Sequence, residues 1–299
     1  MDSTNAACWK IGEAVVTRIR EQALEGILDQ IIPPATPAAL RAIDWLMPNF
    51  VTPDGVMRWN IQAFVIEADG RRILVDTCIG NDKSHPQLPF WDQMHTRFLD
   101  DLEGAGFARE SIDTVLCTHL HLDHVGWNTM KVGGRWVPTF PGARYLVSRT
   151  EFDYWQEEEA HLAGLPDGDG HAFQKGVLGE SILPIVEAGL FDFVATDHRL
   201  CDEVRLIPTP GHTPGHVSVE ITSAGQRAVI TGDLVHHPCQ IRHPEWATTA
   251  DFDGACSTRE RKRFFADVSA RPTLVIGTHW AEPTVGRIVR DGAAWRLDC

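Results

Sequence analysis

At 299 residues, with 43% hydrophobic and 23% charged side chains, the chain has the composition of a soluble globular protein large enough for a sizeable core. A net charge of −14 and a pI near 5.4 argue against a nucleic-acid or anionic-membrane partner, since phosphate contacts need clustered Lys and Arg. Met1–Lys10 lacks a basic start followed by an apolar run, no stretch approaches the roughly 20 apolar residues of a membrane span, and the seven cysteines are scattered without Cys-x-x-Cys, so a cytoplasmic setting with reduced thiols is expected.

Gly12 to Arg20 alternates as an opening strand should. Residues 21–56 combine five prolines (Pro33, Pro34, Pro37, Pro48, Pro53) with apolar residues such as Ile32, Leu40, Ile43 and Leu46. Each proline breaks a helical ladder, and the stretch is too apolar for a solvated linker. It reads as short helical turns that either wall a pocket or meet another subunit, as in a homodimer. Ile61 to Ala68 and Arg72 to Asp76 flank Asp69-Gly70, a strong hairpin signal. Asn81 to Trp91 is a polar loop, and Asp92 to Ala105 has helical spacing (Met94, Phe98, Leu102) with Gly106 as its stop.

Ile112 to Thr118 is apolar and β-branched, a strand covered on both faces. It runs into His119-Leu120-His121-Leu122-Asp123-His124. Such crowding of ionisable groups is tolerated when a divalent cation takes their nitrogens and oxygens as ligands. His119 and His121 face the same way in extended backbone. Asp123 and His124 follow where the chain turns into a helix and can face a second point. Cys117, on the strand itself, reads as a small buried hydrophobe.

Lys131 to Trp136 is a hairpin and Ala143 to Ser148 a strand. Residues 149–194 then read as helix, loop (Gly164 to Gly170) and helix, a cap inserted between two strand-rich halves, with the acidic run Glu157 to Glu159 on a solvated face. Strands resume at Val204 to Ile207, His216 to Thr222, Arg227 to Thr231, Thr273 to Thr278, Val285 to Arg290 and Ala293 to Leu297. Three more ligand types stand at strand ends: His212 in Gly211-His212-Thr213-Pro214-Gly215-His216, Asp233 after Thr231-Gly232, and His279 after Gly277-Thr278. The order predicts an α/β protein of αβ/βα layout, with ligand loops gathered at one edge of the sheets.

The His-x-His-x-Asp-His stretch, the later Gly-His-Thr-Pro-Gly-His, the Gly-Asp and the strand-terminal His279 resemble the metallo-β-lactamase-fold hydrolase superfamily, over about residues 60 to 289. The resemblance implies a four-layer αβ/βα sandwich, one domain over residues 1–299 with the helical insertion. It also implies His119, His121 and His212 on one metal, Asp123, His124 and His279 on a second, and Asp233 bridging. Two zinc ions suit that set, which accepts iron, manganese or cobalt as well. A hydroxide bridging the metals would then attack a small, fairly apolar ester or lactone, with a phosphotriester as the alternative substrate and glutathione-thioester or persulfide chemistry a more distant one.

Asp123, Asp233 and His236 are the candidate catalytic side chains. His236 occupies the position, three after the bridging aspartate, where lactone-opening members commonly carry tyrosine; it is either a substrate contact or a buried, satisfied histidine. His216 is expected to be structural. Asp76 reads equally as a turn residue at a strand end or, by the resemblance, as a carboxylate that orients a metal ligand. Trp127, Trp280, Phe90, Trp91, Trp155 and Trp246 are candidate walls of an apolar pocket, although each taken alone is more often core.

Overall fold

The computed structural model describes residues 6–166 and 171–299, and the chain falls into two compact units. The first takes residues up to Lys10, Ala14–Glu21 and Gln62–Thr196; the second takes Ile11–Glu13, Gln22–Ile61 and Asp197–Cys299.

β1 (Ala6–Ile11) and β2 (Ala14–Glu25) open the chain as a hairpin turned at Gly12-Glu13, so the predicted first strand is longer and has a partner before it. After residues 26–57, which include the short helix α1 (Pro37–Arg41), come β3 (Arg58–Ala68) and β4 (Arg71–Val75). Asp69 (φ 49) and Gly70 (φ 70) both adopt the left-handed backbone that a two-residue hairpin turn demands. α2 (Phe98–Gly104) is shorter than its periodicity suggests. The preceding residues are tied to the 82–85 loop instead: Gln93 N–H donates to Lys83 O, and the Asp92 carboxylate accepts from His85 N–H.

β5 (Thr114–Leu116), α3 (Leu122–Val125), the hairpin β6 (Thr129–Val132) and β7 (Arg135–Pro138), β8 (Arg144–Ser148) and α4 (Arg149–Gly164) follow as predicted. Part of the predicted 164–170 loop, residues 167–170, lies outside the described residues. The helical cap does not run to Val194. It ends with α5 (Leu183–Glu187), and Phe191–Val194 is a strand, β9, pairing parallel to β8 at the sheet edge. The sheet order is β1-β2-β3-β4-β5-β8-β9. Val75, Leu116 and Leu146 are in register across β4, β5 and β8, parallel strands whose carboxyl ends therefore share one edge. Asp76 and His119 stand just beyond that edge, where parallel strands expose their loops.

The second unit contains β10 (Val204–Pro208), β11 (Val217–Ser223), β12 (Gln226–Ile230), α6 (Cys239–Arg242), α7 (Gly254–Ala270), β13 (Leu274–Ile276), β14 (Val285–Asp291) and β15 (Ala294–Asp298), the strands lying in that order in one sheet. Ile230 and Ile276 are paired in the parallel β12–β13 register, which places Asp233 and His279 three residues past matched strand ends. His212 lies in the β10–β11 connection.

Residues 26–57 send most of their apolar side chains inward. Ile32, Leu40, Ile43, Leu46, Phe50 and Val51 are buried in one cluster with Val229, Phe265, Trp280 and Trp295. Burial of each aliphatic side chain contributes about 1.5–3 kcal/mol, which explains why this proline-broken segment is ordered. No helix of the described residues is long and apolar enough to cross a membrane.

Candidate metal centre

In the first unit β5 ends at Leu116, the chain bends at Thr118-His119, and His121, in extended backbone, stands at the start of α3. His119 Nδ1 meets Thr118 Oγ1 at 3.1 Å, and His119 Nε2 lies 3.1 Å from His121 Nδ1. A zinc–nitrogen bond of about 2.05 Å implies a tetrahedral N···N edge of about 3.3 Å, so the two ring nitrogens are spaced as ligands of one ion. His124 turns its Nδ1 to Asp76 Oδ2 at 2.9 Å, which leaves Nε2 facing Asp123 Oδ1 at 3.7 Å.

Asp76 has the left-handed φ of 58 that aspartate tolerates better than most side chains. From there it accepts three hydrogen bonds: Thr118 N–H at 2.8 Å, Thr118 Oγ1 at 2.9 Å and His124 Nδ1. The carboxylate therefore fixes the imidazole tautomer as well as tying the motif to the end of β4. Of the two readings that the sequence allows, the geometry has Asp76 orienting a candidate ligand.

Two further props come from the cap. Glu151, in the first turn of α4, accepts from the Leu120 N–H at 3.0 Å and from Trp155 Nε1 at 2.7 Å. Gln174 accepts from Leu122 N–H and donates to Leu120 O, both at 2.8 Å. The backbone between the histidines, buried and outside any ladder, thus has its polar groups satisfied. Neither residue carries a local sequence signal.

In the second unit Asp233 is the focus. Its Oδ2 lies 3.3 Å from His212 Nε2 and 3.1 Å from His236 Nε2, and its Oδ1 lies 3.1 Å from His279 Nε2. The two oxygens of one carboxylate thus face different histidines, the arrangement a bridging ligand needs. His279 Nδ1 donates to Asn60 O at 3.0 Å, and His212 Nδ1 pairs with Asp251 Oδ1 at 3.0 Å, so both rings present Nε2. His216 behaves as a structural residue: Nδ1 is bonded at Thr209, and Nε2 accepts the Asp233 N–H at 2.8 Å.

Asp251 escaped the sequence reading because nothing in Ala250-Asp251-Phe252 marks it. Burial alone would raise its pKa, but the hydrogen bond to His212, with the charges of His212, His236 and Arg261, carries it well below the usual carboxylate range. One atom each from His212, His236 and Asp251 also lie close enough to share an ion. Burial pushes His236 below its ordinary pKa against the pull of Asp233, favouring the neutral ring. The aromatic candidates are mainly core. Trp280 donates to Val235 O, Trp127 stacks on Phe98 and donates to Glu21, and Trp155 packs on the His121 ring. Cys117 is fully buried beside Asn128.

A sequence profile of the metallo-β-lactamase superfamily matches residues 56–279. The chain belongs to that superfamily. It is accordingly a metal-dependent hydrolase with a mixed α/β metallo-β-lactamase fold. It is 24% identical over 249 residues to an N-acyl homoserine lactonase of Bacillus cereus, covering 79% of this chain and 87% of that protein. It is 32% identical over 127 residues to the N-acyl homoserine lactonase AttM of Rhizobium radiobacter, 40% of each chain. Among solved structures it resembles AidC, a dizinc quorum-quenching lactonase crystallised with an N-acyl-homoserine product, at a TM-score of 0.79 and 22% identity over 99% of this chain and 98% of that one. It also resembles the hydrolase AbOPH of the β-lactamase superfamily, at 0.80 and 23% identity over 100% and 99% of the two chains. At those identities the two structures speak for the fold.

Proposed function

We propose that the protein is a dinuclear zinc hydrolase that opens a small, fairly apolar lactone, of the N-acyl homoserine type named for its relatives. The ligand sets of the two units act together in this reading: His119, His121 and His212 on one cation, Asp123, His124 and His279 on the other, Asp233 on both. The observation that carries it is the presentation of ring nitrogens by His119, His124, His212 and His279, each held by a hydrogen bond at the other ring nitrogen, together with the Asp233 carboxylate, which faces three histidines.

Bound there, two divalent cations would polarise the lactone carbonyl and make water acidic enough to ionise near pH 7. The chain's own groups do the positioning. Asp76, Asp251 and Asn60 O hold the imidazoles in the tautomer that offers Nε2. Asp233, held at its backbone by His216, orients the attacking water, and His236 lies within reach of a reacting oxygen beside it.

His236 in place of a phenol also supports a second reading, a phosphotriester hydrolase, because an imidazole donor serves a phosphoryl oxygen as well as an alkoxide. The test is metal analysis together with one activity panel on the zinc-loaded protein: an N-acyl homoserine lactone, an aryl ester, an aryl dialkyl phosphate and a glutathione thioester. About two zinc ions per chain and turnover of the lactone are expected, with both lost in Asp233→Ala. Folded protein that binds no metal would end the hydrolase reading, and turnover of the phosphate alone would replace lactone by phosphotriester.

A further inference from the structure

A cavity of about 300 Å³ in the first unit is lined by His85, Pro86, Leu88, Ala172, Phe173 and Glu180, among others. That volume sits at the small end of small-molecule sites. Phe173 is shared: it lines the cavity and packs edge-on against the His121 ring, centroids 5.7 Å apart. The cavity is therefore one aromatic ring away from a proposed metal ligand.

His85 is the anomaly in its wall. The residue is 5% exposed, and among the described residues neither ring nitrogen has a hydrogen-bond partner. Buried polar groups in native proteins are nearly always satisfied, so two orphaned nitrogens on one ring call for a ligand or water. The backbone that carries the ring is held on both sides. His85 N–H donates to Asp92 Oδ1 at 2.7 Å, and His85 O accepts from Leu88 N–H at 2.8 Å. The opposite wall is equally fixed: Gln87 Nε2 bonds Ala172 O, and Glu180 accepts from Ser84 N–H. Burial, with the Lys83 cation nearby, pushes His85 down to about 4. At neutral pH the ring thus offers one N–H donor and one lone-pair acceptor.

Resting on the lactonase reading above, we propose that this cavity receives the acyl-amide arm of the substrate and that His85 is the residue that recognises it. A carboxamide supplies the matching pair, a carbonyl for the ring N–H and an N–H for the ring lone pair. Phe173, Leu88 and Pro86 take the alkyl chain. At about 30 Å³ per small group, the space holds about ten non-hydrogen atoms, which suits a short acyl chain of about six carbons with its amide.

The test uses the full-length zinc-loaded protein with histidine-ring ¹⁵N labels and hexanamide as the probe. Saturable movement of the His85 ring signals is expected, with methyl hexanoate, which lacks the N–H, binding several-fold more weakly. His85→Phe should weaken hexanamide at least tenfold, and for a hexanoyl lactone should raise KM while kcat stays within about twofold, the signature of lost uniform binding. Leu88→Trp, on a half-buried loop position, fills the same space and serves if His85→Phe does not fold. Ring signals unmoved by hexanamide, as when water alone bridges the imidazole, or equal affinity in both variants, would overturn the proposal. Hexanamide binding without turnover of any lactone would sink the hydrolase reading and leave the pocket standing. Lactone turnover with KM indifferent to acyl length and to His85→Phe would do the reverse.

Discussion

Asp76→Asn isolates the role of one carboxylate. Asparagine tolerates the left-handed backbone at φ 58, so the substitution leaves the turn intact, whereas alanine there would add about 1–2 kcal/mol of strain. The amide keeps an oxygen for the Thr118 N–H but places its NH₂ where Oδ2 stood, 2.9 Å from both Thr118 Oγ1 and His124 Nδ1. A donor facing Nδ1 forces the imidazole to carry its proton on Nε2, the atom that should bind metal. Two charge-assisted hydrogen bonds, each worth about 1.5–3 kcal/mol, become neutral ones worth about 0.5–1.5 kcal/mol, so the metal-free protein should lose about 1–3 kcal/mol. Loss of such an outer partner costs roughly 10–100-fold in metal affinity. Chelator competition on cobalt-substituted protein, with urea unfolding of the metal-free form, reads both quantities. One of the two cations should be weakened and the other spared. An Asn variant that holds both as tightly as wild type would refute the tautomer argument.

Two further changes test the scaffold. His237 donates from Nε2 to Phe50 O and accepts the Cys239 N–H at Nδ1, so only the neutral ring fits, and burial pushes its pKa down to about 4. The unfolded chain takes up that proton near pH 6.5 and the folded one does not, so stability should fall as pH drops from about 6.5 to about 4, by about 3 kcal/mol in all. His237→Gln, which can make both bonds, should shed up to about 1.4 kcal/mol per pH unit of that slope in urea titrations at pH 6 and 5; an unchanged slope contradicts the assignment. At Gly126 an added Cβ would lie 1.7 Å from Ile79 O, a backbone atom, so Gly126→Ala should cost more than about 3 kcal/mol by thermal unfolding and loosen the metal at His124. A variant with wild-type stability would show that the 79–80 backbone gives way.

What the sequence disclosed was local chemistry. The Asp69-Gly70 turn and the strand-then-ligand pattern at His119, Asp233 and His279 each depend on neighbours along the chain, and spacing alone places them. Glu151, Gln174 and Asp251 act on groups 31, 52 and 39 residues away, and no spacing rule reaches that far. β9 was hidden because Phe191-Asp192-Phe193-Val194 is a four-residue, half-buried edge strand with no long alternation to read. α7 was missed because its buried face includes Ser257 and Arg261, the latter donating to Pro244 O, Leu234 O and Ser257 Oγ, so the apolar stripe is broken in the first turns of the helix. Residues 26–57 were recognised as ordered, but their destination within a core is a tertiary fact.

The struts from Glu151 and Gln174 make substrate range and ligand placement hereditary together. Both stand on the segment that a protein engineer would exchange first to admit a different molecule, and both end on main-chain atoms between the paired imidazoles. A graft or random library spanning that stretch which omits the two side chains strands three main-chain polar atoms at once, and the metal would be lost before any new preference could be selected. Diversity is better drawn from the outer face of the helix, at Asp153, Gln156 and Glu157, which face solvent and touch none of this machinery.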